Sequence, residues 1–424
     1  MKIPFLNWTE EQNFSDEAKS LFNESGECYK ASAYRAALLF SFLGFQTVLK
    51  DRILESRTPK NYQSGEWSQL QNTLLEDDSW DATVIKIVNN KKKPIFSLND
   101  DLINQYMYWK NRRNDCAHAK GNEIGDAHVE AYWLFLKSNS MKFRVNGSKE
   151  YILEQIKEFY DPNITAPNAS INPLVSQIPH SIDRKDLQIF FQDLKDITAD
   201  KNFNNFTLLD SNKSSVWFAL LDLDYYPKEI IKFLILDEND SYAIELIDLN
   251  PNYVKNFQGE SSFIRSMWNK FCSANDYRIL LNLIKNNLIP PEELDECYTH
   301  MFNNVDSDLF SKKSNWEPFN ELELEILKGT NFFNLFYTQA FKENRISGDF
   351  NWGNRNRYLV TKYIEEFQMD YDIALAIKNC EHKNYPPRYL NRWINDFFKQ
   401  HSEIEDKYKE LLLSGIPEEL NIFE

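Results

Sequence analysis

The sequence predicts an all-α or mostly α protein with an N-terminal helical bundle and a larger, mainly helical C-terminal domain. Three observations carry that expectation. Only 11 Gly and 15 Pro interrupt 424 residues, so the dense turn signals of a β-sandwich are missing. Apolar residues recur at three- and four-residue intervals over many separate stretches, which is the period of a helix. A hydrophobic share of 42% with 15% aromatics is ample for a packed core, and a chain this long ordinarily divides into more than one domain.

Taken in order, residues 16–30 and 33–54 read as two helices. The second, around Tyr34-Arg35-Ala36-Ala37-Leu38-Leu39-Phe40, is apolar around most of its circumference and is expected at the centre of the bundle. Residues 55–96 are less regular, with Pro59, Gly65 and the run Lys91-Lys92-Lys93 before Pro94, and are expected to hold loops and a short helix. Ser97-Leu98-Asn99-Asp100 reads as a capping box, opening a helix through Ile103, Tyr106 and Trp109 towards His118. Gly121 and Gly125 close it, and a helix from Asp126 to about Lys137 completes a bundle over residues 1–150. Residues 151–182 are expected to be a helix followed by a linker rich in Pro, Asn and Ser, with Pro162, Pro167, Pro173 and Pro179 and no apolar period. From 183 to 424, amphipathic segments near 185–197, 264–271, 277–287, 292–302, 321–327, 331–341, 357–366, 371–378, 387–399 and 403–413 predict an irregular helical domain. Residues 215–249 carry short apolar runs that are read as possible strands.

Composition also restricts function. The longest apolar run, about 36–49, is broken by Ser41 and Gln46 and falls short of the ~20 residues that span a bilayer, so no membrane role is expected. The first residues lack the apolar stretch of a signal peptide. The five cysteines are odd in number and form no Cys-x-x-Cys pair, so reduced thiols and a cytoplasmic setting are expected. A net charge of −16 argues against nucleic-acid binding over the whole surface and confines any such site to a local basic patch.

Chemistry concentrates at Arg112-Arg113-Asn114-Asp115-Cys116-Ala117-His118. Arg113 and His118 stand about 140° apart around a helix, but His118 lies at the fraying end and arginine has a long stem, so both can converge on one phosphate. Asn114, four residues before His118, is placed to orient the imidazole or the substrate. RNA supplies its own nucleophile, the 2′-hydroxyl, so strand cleavage needs proton transfer and charge stabilisation but no metal. Histidine suits the acid or base role near neutrality and contributes roughly 100- to 10,000-fold; a forked cation suits the phosphate oxygens. One histidine cannot easily serve both the attacking and the leaving oxygen, which implies two copies facing each other in a homodimer. Lys91, Lys92, Lys93, Lys110, Arg112 and Lys120 are the expected RNA-binding cations. No cofactor is called for.

With Arg113, Asn114 and His118 in this order, the chain resembles the HEPN superfamily, whose signature is an arginine, a polar residue and a histidine at the end of a bundle helix. The resemblance runs more weakly through residues 15–140, which look like those of HEPN proteins in bacterial abortive-infection and toxin systems. It implies a helical bundle, a symmetric dimer with a composite site, metal-independent endoribonuclease activity leaving cyclic phosphate ends, and RNA such as tRNA as target. It also implies bacterial defence against phage, where a ribonuclease that would kill its host needs restraint: the C-terminal domain at 183–424 is expected to supply it by sensing or substrate selection, with a phage-derived trigger or a regulatory protein as partner. Lys120 stands where nucleotidylated relatives carry a tyrosine.

Other readings are weaker. Cys297 with His300, Cys380 with His382, and Asp222 with Asp224 have fragments of metal spacing without nearby partners. Cys116 is expected to pack, His128 to sit at a helix start, and Trp352, Trp393, Phe397 and Phe398 to belong to the core rather than to stack on bases. The competing class is a non-catalytic interaction protein in which the bundle only dimerises.

Overall fold

In the computed structural model the described residues are 3–59, 61–118, 123–200, 208–236, 238–273, 275–305, 319–381 and 385–414. The protein is α-helical. The β content among those residues is one isolated bridge between Phe96 and Val145. The chain divides into two compact units, one of residues 1–201 and 212–230 and the other of 202–211 and 231–424.

The first unit is built on α1 (Pro4–Glu11), α2 (Asp16–Lys30), α3 (Tyr34–Glu55), α4 (Ser64–Leu74), α5 (Trp80–Val88), α6 (Asp100–Ala117) and α7 (Asp126–Asn139). Helix α3 is the central one. It buries Leu38, Phe42, Phe45, Leu49 and Ile53 and packs against α2, α4, α5, α6 and α7, as expected of a helix apolar on nearly every side. A single apolar core gathers residues from Ile3 to Val145. Two glycines let α2 and its neighbours approach closely. A Cβ on Gly44 would stand 3.0 Å from the Phe22 ring, and one on Gly26 would stand 2.5 Å from a Leu6 methyl. A buried polar thread ties three helices together: Ser25 Oγ donates to Ala37 O at 2.7 Å, Ser25 and Ser41 share a hydrogen bond, and Trp133 Nε1 donates to Ser41 Oγ at 2.7 Å.

Several expectations change here. Residues 55–96 hold two helices, α4 and α5, where one short helix and loops were expected; α5 buries Val84, Ile87 and Val88. Helix α1 was not expected at all. The cap of α6 is Asn99, whose side chain accepts the Leu102 N–H at 2.8 Å, rather than Ser97. Gly125 does not close α6 but stands at the N-cap of α7, and Gly121 lies outside the described residues.

The expected linker is packed. After α8 (Ser148–Phe159) come α9 (Asn172–Val175) and α10 (Ile178–Ser181), and Ile171, Val175, Ile178 and Ile182 are all buried. Prolines that break a helix do not by themselves free a chain when apolar residues between them find cover. Helices α11 (Leu187–Thr198) and α12 (Ser215–Leu221) belong to the same unit, where Trp217 Nε1 donates to Thr198 Oγ1 at 3.0 Å.

Within 215–249 there are helices rather than strands, including α12 and Asp240–Leu249. Short apolar runs do not distinguish the two by period, and Val216, Trp217, Leu220 and Leu221 make a helical stripe once folded. The second unit is a stack of short helices, among them Ser261–Trp268, Asp276–Lys285, Leu294–Asn304, Arg357–Glu366 and Arg388–Gln400. Its core is strongly aromatic: Phe302 lies within 5.2 Å of Phe332 and Phe336, and Trp352 stacks on Phe336.

Candidate active site at the end of α6

Helix α6 begins with Asp100 and Asp101 in its first turn, where carboxylates oppose the positive helix end. Its inward row is Leu102, Tyr106 and Trp109, and Arg113 continues that row one turn further, where it leaves the bundle. The stem of Arg113 is therefore half-buried and its Nε is enclosed without a partner. The guanidinium is held on two sides: Nη2 donates to Asp81 Oδ2 at 3.3 Å and Nη1 to Asn114 Oδ1 at 3.3 Å. Both bonds leave N–H groups of the fork over.

Hydrogen bonding of α6 ends at His118, which caps it with non-helical backbone, its N–H donating to Asn114 O at 3.0 Å. The side chain is exposed and has no hydrogen bond or ion pair among the described residues. Asn114 thus serves both expected partners by different atoms: its amide oxygen meets Arg113 and its backbone carbonyl meets His118. No side-chain bond joins Asn114 to the imidazole, so the expected orienting role falls on the arginine instead.

Arg112 points elsewhere. It pairs with the buried Asp115 at 2.8 Å and lies over the Tyr108 ring at 5.4 Å. Arg35, in the first turn of α3, comes near enough to Cys116 to favour its thiolate, yet burial outweighs it and pushes the thiol up. Cys116 is accordingly a packing residue at the edge of the core. The Tyr106 hydroxyl, which accepts from Gln46 Nε2 at 2.6 Å, is raised far above its ordinary value, chiefly by burial and further by Asp81, against the pull of Arg113.

The basic residues expected around the motif do not all gather there. Lys91 pairs with Asp100, and Lys93 reaches Glu66 at 2.6 Å and covers the Tyr62 ring at 4.0 Å. Both sit at the start of α6, with Lys92 exposed between them, about 26 Å along the helix from Ala117 at 1.5 Å per residue. The cause is that α5 runs antiparallel to α6: Asp81 at its beginning meets Arg113, and the chain has returned to the other end by Lys91. Lys110 and Arg112 remain on the motif half, and Lys120 lies outside the described residues. Sequence reasoning missed Asp81 and Arg35; nothing in their spacing links them to α6, and only the packing of α3 and α5 brings them there.

Several of the remaining candidates find structural roles. His128 Nδ1 accepts the Gly125 N–H at 3.3 Å and caps α7. Cys297 is buried, and its thiol is raised mainly by that burial, while His300 meets Phe271 O at 3.3 Å. His382 lies outside the described residues. Among those residues no three His, Cys, Asp or Glu side chains are placed to share a metal ion, and no described helix is long and apolar enough to cross a membrane. Trp352 is core, and Trp393 Nε1 donates to Thr361 Oγ1 at 3.0 Å. No protein-family model matches the chain, and neither a curated protein nor a solved structure is found to be similar to it.

Proposed function

We propose that the protein is a metal-independent endoribonuclease that cleaves RNA by 2′-hydroxyl transesterification at the end of α6. The observation that carries this reading is the pairing of a held arginine, Arg113, having N–H groups to spare, with an exposed histidine, His118, five residues on at the helix end. In the reaction the 2′-oxygen forms a bond to phosphorus and the bond from phosphorus to the 5′-oxygen breaks. A base takes the 2′-hydroxyl proton, an acid gives one to the departing 5′-oxygen, and a 2′,3′-cyclic phosphate remains. His118 performs one of these transfers, and His118 of a second copy performs the other. Arg113 balances charge on the phosphate oxygens, and Asn114 and Asp81 aim it. Exposed Tyr108 on α6 and Leu134 on α7 give the second copy apolar surface to cover. The HEPN resemblance extends this reading to tRNA as a first substrate to try, to anti-phage abortive infection as the setting, and to the second unit as the sensor that restrains cleavage.

The ion pair of Arg113 with Asp81 favours a second reading, in which the motif only fastens α5 to α6 in a non-catalytic dimerisation module. Incubating the protein and its His118→Ala variant with total tRNA in excess EDTA separates them. Cleavage lost in the variant supports the nuclease; equal cleavage by both, or none by either under conditions where expression of the chain is also harmless to cells, supports the module.

A further inference from the structure

A groove of about 1600 Å³ opens on the first unit at the opposite end of α3 from Arg35. Two arginines form its floor. Arg52 is only 8% exposed; its Nη1 donates to Ser140 O at 2.6 Å and Phe143 O at 3.0 Å. Arg144 lies over the Tyr151 ring at 4.1 Å; its Nε is enclosed without a partner, and its Nη2 has only the Met141 sulfur at 3.8 Å. Neither guanidinium has a carboxylate within ion-pair distance among the described residues, although Glu55 stands near both. The carbonyls of Ser140 and Phe143 need a donor from Arg52 but not its charge, and they leave Arg144 unexplained. Two desolvated like charges side by side are costly unless an anion joins them.

We propose that this groove binds a small phosphate-bearing molecule, its phosphate held between Arg52 and Arg144. Forked donors suit bidentate contact with phosphate oxygens, and the Phe14 and Tyr151 rings in the lining offer a face to a base or another flat group. The walls decide against a polynucleotide. Eight carboxylates against six cations line the groove, and three of the rim cations are already paired, Lys149 with Asp193 at 2.6 Å, and Arg57 and Lys157 with Glu154 at 3.7 and 3.6 Å. A backbone tracking past the floor would meet repulsion. Burial and the neighbouring Arg144 together hold Arg52 well below the usual arginine range, a cost that a bound dianion relieves. The site lies about 26 Å along α3 from the end that faces Cys116, so its ligand is an effector rather than the substrate, and its test does not depend on cleavage.

The test is thermal unfolding of the full chain with inorganic phosphate, AMP or an eight-nucleotide RNA without terminal phosphate, each against sodium chloride of equal ionic strength. Phosphate and AMP at ten times their dissociation constants are expected to raise the transition of the first unit by roughly 3 °C, and Arg144→Gln and Arg144→Lys to abolish and weaken that rise. Calorimetric titration of the unaltered protein with AMP gives a readout that no variant's folding can confound, and saturable binding is expected. No rise beyond chloride, an equal rise in Arg144→Gln, no saturable heat, or a rise with the RNA alone would each overturn the proposal.

Discussion

Asp81→Ala is the change that asks most about how the α6 site is built. The carboxylate accepts one N–H of Arg113 at 3.3 Å, and the two side chains are 33% and 25% exposed. A pair this open to solvent is worth little to stability: about 0.5 kcal/mol, smaller at high salt. Its value is positional. Without it the long arginine stem keeps only the Asn114 contact, and a guanidinium displaced by about 1 Å from a phosphate costs on the order of 10- to 100-fold in rate. Asp81→Asn separates charge from aim, because the amide oxygen still accepts from Nη2. Asp81→Ala is expected to lower kcat by that factor with an unchanged pH profile, and Asp81→Asn to keep most of it, with a lower KM because phosphate no longer competes with a carboxylate. Cleavage of a labelled RNA under single-turnover and steady-state conditions, beside urea unfolding, reads all of these. Equal loss in both variants would refute the positional argument, and so would a loss of several kcal/mol in stability.

Two further outcomes test the second unit. Asp276 is buried and accepts the N–H groups of Cys272 and Ser273 at 2.7 and 2.6 Å; burial prevails over those bonds and, with Asp248, pushes its carboxyl from 3.8 up to about 6. A carboxyl raised on folding stabilises fully below its unfolded value and loses that contribution as pH rises through about 6, here up to ~3 kcal/mol. Asp276→Asn cannot ionise, so its urea midpoint should gain on the unaltered protein between pH 4 and pH 7; parallel curves would contradict this. Gly353 lies in the helix Phe350–Arg355, where alanine normally helps by about 1 kcal/mol, but a Cβ there would stand 2.4 Å from the Ile346 carbonyl oxygen. Gly353→Ala should therefore destabilise by roughly 1–3 kcal/mol in the same assay, and a stabilised variant would show that the Ile346 turn yields.

What was legible in the sequence follows from which interactions are local. The 3.6-residue pattern of α2, α3, α6 and Arg357–Glu366, and the caps of α2 and α6, are properties of neighbouring residues, and those helices lie within a residue or two of where the pattern puts them. The helical nature of Ser215–Leu221 and the cover over Ile171 and Ile178 depend on residues far along the chain, which no local period encodes. At the site, Arg113, Asn114 and His118 were legible because one helix carries them. Asp81 and Arg35 were not, since α5 and α3 deliver them through packing, and the same packing moved Lys91 and Lys93 to the far end of α6. The groove floor was equally hidden: Arg52 and Arg144 stand 92 positions apart and meet only because the chain segment after α7 folds back onto α3.

In the proposed reaction the substrate's own hydroxyl is the nucleophile and His118 moves its proton. The most direct measurement is the chemistry of the ends produced from a 5′-labelled RNA in excess EDTA by the protein and by His118→Ala. The former is expected to leave 2′,3′-cyclic phosphate ends and the latter intact RNA, the variant keeping its helical content; 3′-hydroxyl ends, or cyclic ends formed equally by both, would contradict this chemistry.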